Sequence, residues 1–337
     1  MRTLPLTHTA RMRGRRLPGQ DEYEQNLRDL SDASVHRNFD PYIDIDWDSP
    51  KLAIVPDDPR WVLSDRIDPI GRTDWYKAQP LEKQIKMGMW RQANVAKVGL
   101  QFESVLIRGL MQYTAAQPND SVEFRYATHE AKEECNHTLM FQEFVNRIGA
   151  DVPGGQWWFR RLSLFIPLAA TTFPTIFYMG VLGGEEPIDH IQKQFLRSTE
   201  GQHPAMTAVM QLHVAEEARH ISFAHQRLEQ VIPARGPLPR FLLSLALPIV
   251  MRVLLTAIAV PPRQFRREFD IPREVWHEMY WRSPESKETK REVFGDVRLL
   301  AKRTGLMNPV SRLVWRALGI DGRASRFRSE PAYSAAA

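Results

Sequence analysis

Two short segments constrain this chain more than any others. Residues 130–137 (EAKEECNH) and 213–220 (HVAEEARH) each carry Glu-x-x-His, as Glu134/His137 and Glu217/His220. A spacing of three puts a Glu and a His on one helix face, one turn apart. Helical bundles that bind two metal ions present one such pair from each of two helices, plus one Glu from each of two others. Candidates for the lone carboxylates stand at equal offsets: 31 residues separate Glu103 from Glu134, and 31 separate Glu186 from Glu217. Equal offsets suit two helical hairpins with all four carboxylates at one depth, each arm giving about 13 residues around a short turn. Glu185 is the alternative fourth carboxylate, and the offset argument prefers Glu186.

One Glu-x-x-His alone means little, because chance supplies a match in about half of chains this long. Two matches on helical segments, each with an upstream Glu at the same distance, are far more specific. The bland alternative is a solvated, charge-rich helix face. Against it, Leu139, Met140, Leu212 and Phe223 share these turns. Glu103 lies in an apolar stretch with Phe102 and Val105, where an unpaired carboxylate is costly and a metal removes the cost. His213 precedes Glu217 by four and His220 by seven, so all three share one face. It is read as a third imidazole ligand, with a hydrogen-bonded supporting role as the alternative. Asp189 or His190, one turn from Glu185 and Glu186, is a candidate to orient a ligand. His129, His225 and His277 are read as core or supporting residues.

A weak internal repeat accompanies the motif. Setting Glu134 on Glu217 puts Glu133 on Glu216, His137 on His220 and Ala131 on Val214, with Glu130 at the position of His213. Carboxylate and imidazole ligands without thiolates suit iron, with manganese as the other candidate. Four carboxylates neutralise two ferrous ions. Oxidation of the pair to a total of +6 leaves room for an oxygen dianion, so such a site suits O₂ as co-substrate.

The chain reads as all-α, a ferritin-like bundle with added helices and an irregular N-terminal wrap. One di-metal domain is expected over 41–310, between a basic, disordered arm (1–40) and a basic, flexible tail (311–337). Residues 41–79 are rich in Asp, Pro and Trp and read as irregular chain wrapping the body. Helices are expected from Pro80 to about Tyr113, then to about Ile148, from about Leu162 past Glu186, from Pro204 to near Pro233, and over 241–260. Pro187 is expected to make the backbone near Glu186 irregular. Two further helical stretches are expected over 273–282 and 287–303.

The net charge is +5, and much of it lies near the ends: Arg2, Arg11, Arg13, Arg15, Arg16, then Arg323, Arg326 and Arg328. These read as solvated tails, and no nucleic-acid partner is expected. The one cysteine, Cys135, excludes an intramolecular disulfide, which suits a reducing cytoplasm. It is read as a packing residue rather than a ligand. No signal peptide is expected. Residues 162–184 carry no charge and 241–260 only Arg252, so both could cross a bilayer by length. They are read as helices buried on all sides in the bundle. Peripheral membrane contact stays open.

Glu103, Glu134-x-x-His137, Glu186 and His213-x-x-x-Glu217-x-x-His220 resemble the ligand set of the di-iron arylamine N-oxygenases, the p-aminobenzoate N-oxygenase family. The resemblance spans residues 80–260. It implies a homodimeric all-α bundle holding two iron ions on four Glu and three His. It further implies O₂ activation through a peroxo-di-iron species, an external electron donor and oxidation of an aromatic amine. No substrate-binding residues are matched. Two other readings stand beside it: hydroxylation or desaturation of a lipid or carrier-bound acyl chain, and a non-catalytic ferritin-like metal-binding protein.

Overall fold

In the computed structural model, residues 17–198 and 202–330 are described. Six long helices dominate: α1 (Gln20–His36), α2 (Leu81–Ala115), α3 (Val122–Ile148), α4 (Pro174–Arg197), α5 (Pro204–Val231) and α6 (Pro237–Ala259). No strand occurs among the described residues. Local chemistry sets the ends. The Ser121 side chain caps α3 by accepting from Phe124 N, and Gly149, at φ 73°, ends it in the left-handed region. Pro204 opens α5, and His203 caps it by accepting from Ala205 N.

α2 pairs with α3, and α4 with α5. Apolar side chains divide into two main clusters along these four helices. Leu106, Ala127, Leu182 and Phe223 belong to one. Ala96, Met140, Met210 and Leu212 belong to the other. Glu103, Glu134, Glu185 and Glu217 fall where the helices pass from the first cluster to the second or reach its edge. The metal motif therefore forms a polar layer within an otherwise apolar bundle. Burying carboxylates there is costly unless cations meet them.

The irregular segment 41–79 is tied down by its aromatics. Trp61 is fully buried and stacks on His203 at 4.0 Å, and Trp47 is also buried. Gly88 makes the approach possible, since a Cβ there would lie 1.7 Å from the Trp61 carbonyl oxygen.

Several expectations change. The arm 1–40 contains α1, whose Tyr23 and Leu27 are buried as it packs on α3 and α5. A polar composition hid two apolar residues one turn apart. Arg2, Arg11, Arg13, Arg15 and Arg16 lie outside the described residues. In the tail, Pro309–Ala317 is a helix with an Asn308 capping box and a fully buried Trp315. Arg298 donates to the Ile320 and Arg323 carbonyls behind it. The tail is therefore docked as far as the described residues run. Residues 162–184 are not one helix: the chain breaks at Phe173, and Pro174 starts α4. A proline that looked interior is an N-terminal one. Pro187 lies inside α4, which is helical through it. Finally, α6 is not enclosed. Pro237–Glu268 is long and apolar enough to cross a membrane, and only 33% of its most apolar window is buried.

Candidate metal centre

Glu103 comes from α2, Glu134 and His137 from α3, Glu185 from α4, and His213, Glu217 and His220 from α5. All seven are buried. Their donor atoms gather in three overlapping groups: Glu103/His137/His213/Glu217, Glu134/His137/Glu217/His220, and Glu103/Glu134/Glu185, each within 4.8 Å. Six of the residues singled out in the sequence thus converge.

Glu186 does not join them. Its Oε1 accepts from His225 Nε2 at 2.5 Å, and Glu185 takes the place in the cluster. Equal offsets fix depth along a helix to about 1.5 Å but not rotation, and neighbouring residues lie about 100° apart. On α4 the decisive sign is that Glu185 and Gln192 are two turns apart on one face. Gln192 Oε1 lies 2.9 Å from His213 Nδ1. Asp189 and His190 do not orient the cluster: Asp189 pairs with Lys193 at 2.7 Å, and His190 meets Gln194 at 3.0 Å. Cys135 is exposed rather than packed.

Each histidine aims one ring nitrogen into the cluster and gives the other to a partner outside it. His137 Nε2 lies 3.0 Å from Glu216 Oε2, and its Nδ1 faces Glu134 and Glu217 at 2.9 and 3.3 Å. His220 Nε2 lies 2.8 Å from Glu133 Oε2, and its Nδ1 faces Glu134 at 2.8 Å. His213 Nε2 faces Glu103 and Glu217, both at 3.3 Å. Such outer partners fix the tautomer and ring orientation of a ligating imidazole. The arrangement is reciprocal: Glu216 on α5 holds the imidazole of α3, and Glu133 on α3 holds an imidazole of α5. Arg219 Nη2 sits between the two carboxylates, 2.9 Å from Glu133 and 3.3 Å from Glu216. The pairing of Glu133 with Glu216 in the internal repeat was the signal for these two residues.

The donor set fits metal ions. Glu103 Oε2, Glu185 Oε2 and both Glu217 oxygens are buried without a hydrogen-bond partner. Orphaned buried acceptors are rare, and here they converge. Burial, then repulsion from Glu134, Glu185 and Glu217, drives the Glu103 carboxyl well above the usual carboxylate range. Burial and then Glu217 do the same to Glu185. Two divalent cations would cancel the charge of the four carboxylates and remove that repulsion. Burial lowers the His213 pKa to about 4, leaving the neutral imidazole that ligates metals.

A cavity of about 200 Å³ adjoins the Gln192 side of the cluster. Its walls include Ile188, Ile191, Gln192, Met206, Met210 and Leu255. Arg252 and Lys290 also line it, on the Trp281 ring, at 5.1 and 4.8 Å from the centroid. Neither cation has a carboxylate partner among the described residues. Burial, then Arg252 and Lys287, lowers the Lys290 pKa to about 8.

The family model for the p-aminobenzoate N-oxygenase AurF matches residues 20–305. The chain belongs to that family. It is 58% identical over 310 residues to uncharacterized protein Rv0885 of Mycobacterium tuberculosis, covering 92% of this chain and 91% of the relative. Uncharacterized protein Mb0909 of Mycobacterium bovis matches to the same extent. The N-oxygenase family is one of di-iron, ferritin-like oxygenases. The all-α body and the buried Glu/His cluster of this member agree with that. The family match begins at Gln20, where α1 begins, so α1 is part of the family body and not an appended arm.

Proposed function

We propose that this protein is an O₂-dependent di-iron oxygenase that oxidises the nitrogen of a small amine bearing an anionic group. The observation that carries the reading is the convergence of four buried Glu and three buried His beside a mainly apolar cavity whose lining includes Arg252 and Lys290, cations with no carboxylate partner among the described residues. Glu103, Glu134, His137, Glu185, His213, Glu217 and His220 would hold the two irons. Bound there, the irons supply the redox chemistry by which O₂ is cleaved.

The residues of this chain do the rest. Glu133, Glu216 and Gln192 hold the imidazoles in register. The apolar walls keep water from the reacting amine. Arg252 and Lys290 bind the anionic end, so orientation comes from charge and the reacting end stays in an apolar surround. About 200 Å³ holds roughly ten non-hydrogen atoms, which suits a single substituted ring. The first step balances as R–NH₂ + O₂ + 2e⁻ + 2H⁺ → R–NHOH + H₂O, with the electrons from an external donor.

The apolar walls also favour a second reading, hydroxylation of an acyl chain. One experiment separates them. Iron-loaded protein is reduced, exposed to O₂ with a panel of aminobenzoates or of short fatty acids, and its products are read by mass spectrometry. Hydroxylamine, nitroso or nitro products support the proposal. Hydroxylated acids alone move the assignment to the second reading. Iron far above two per chain with no product points to storage.

The lysine offers a further check. Below about pH 8 the Lys290 ammonium is present, and it is lost as the pH rises through that value. KM for an anionic amine should therefore climb above pH 8 with kcat little changed. Lys290→Gln should raise KM at neutral pH and flatten the climb.

A further inference from the structure

The face of the molecule formed by α6 and residues 157–173 is apolar, exposed and free of acidic side chains. Residues 166–172 pack on α2, and 169–172 also on α4, against which α6 packs as well. At one end Gln156 Nε2 donates to the Val260 and Pro261 carbonyls, at 2.9 and 2.7 Å. At the other, Arg235 Nη2 donates to Thr175 Oγ1 at 3.2 Å. Between them Phe159 stacks on Phe102 of α2 at 4.4 Å, in a small cluster that Ala257 of α6 joins and that Ile166 and Leu254 border. The two elements therefore share one surface. On it Leu164, Phe165, Phe173 and Leu238 are 64–66% exposed, with Leu162 and Leu242 exposed beside them. Apolar patches that extend this far are interaction sites.

Charge says what kind of partner fits. Residues 152–184 and 230–267 contain no Asp or Glu. Arg160, Arg161, Arg235, Arg263 and Arg267 are exposed there, and Arg161 lies over the Trp157 ring at 5.4 Å. Aromatic and aliphatic side chains rimmed by arginines match the boundary of an anionic bilayer. The contact is peripheral, because α6 has a committed inner side. Leu247, Met251 and Leu255 are buried, Leu254 and Met251 pack where Gly183 of α4 has no side chain, and Arg252 lines the cavity.

We propose that α6 and residues 157–173 form a docking surface for an anionic lipid membrane, lying in the headgroup layer rather than across the bilayer. The same helix contributes Arg252, Leu255 and Ala259 to the lining of the cavity on its inner side.

The test is co-sedimentation of the full chain with vesicles of phosphatidylcholine alone, and with phosphatidylglycerol added in equal part. Binding is expected to the anionic vesicles and to weaken with salt. Arg160→Ala with Arg161→Ala should lower the partition coefficient by roughly 30-fold. Leu164→Glu with Phe165→Glu should abolish partition while circular dichroism and iron content stay unchanged, since both side chains are exposed. A wild-type chain that sediments with neither vesicle overturns the proposal, as does unchanged binding by the Leu164/Phe165 variant. A dimer in solution that the same variant dissociates, with no vesicle binding by the wild type, assigns the face to a second copy instead.

Discussion

Glu185→Gln is expected to lower the iron bound from two ions per chain to about one, and Glu186→Gln to leave it at two. The two residues are neighbours on α4, yet the helix turns them about 100° apart. Glu185 brings an oxygen within 4.8 Å of donors on Glu103 and Glu134. Glu186 accepts from His225 instead. A Gln at 185 keeps the shape but removes one of four negative charges facing the ions. The loss in affinity for the weaker ion should exceed the roughly 100-fold that marks removal of an outer partner. Product formation should fall with it, since the proposed two-electron chemistry would need both metal ions. Glu186→Gln gives up only a charge-assisted hydrogen bond to His225, worth roughly 1.5–3 kcal/mol of stability. Iron analysis of the two purified variants decides. Two irons in Glu185→Gln and one in Glu186→Gln would return the assignment to the equal-offset reading.

That contrast also marks what a sequence can reveal here. The ends of α3 and α5 were readable because Ser121, Gly149 and Pro204 act through local backbone chemistry. Five cluster residues were readable because a three- or four-residue spacing fixes a shared face within one helix, and Glu103 because it stands in an apolar stretch at the matching offset from Glu134. Glu185 was readable only as the alternative to Glu186, because the choice depends on how α4 is rotated against α5, which no spacing within α4 determines. Helix α1 escaped notice because Tyr23 and Leu27 are its main apolar anchors, and what buries them lies on α3 and α5. The exposure of α6 escaped for the opposite reason. Apolarity says that a helix should be covered but not by what.

Removing the carboxylates that hold the histidines should be the second large effect. Glu133→Gln and Glu216→Gln are each expected to weaken iron binding 10- to 100-fold. A carboxylate behind an imidazole accepts its N–H and raises its basicity. An amide can turn its NH₂ toward the ring and favour the wrong tautomer. The two positions should not behave independently. Arg219 bridges Glu133 and Glu216, at 2.9 and 3.3 Å. Loss of either carboxylate therefore leaves the guanidinium to the other and weakens the second imidazole's partner as well. The double variant should accordingly depart from the sum of the singles by ~0.5–3 kcal/mol. Arg219→Lys should reproduce part of the coupling while leaving all seven ligands in place. Competitive titration of iron against a chelator measures every term. Affinities in Glu133→Gln and Glu216→Gln equal to the wild type would mean that His137 and His220 are oriented by packing alone, and that the crossed pair of carboxylates serves only to neutralise Arg219.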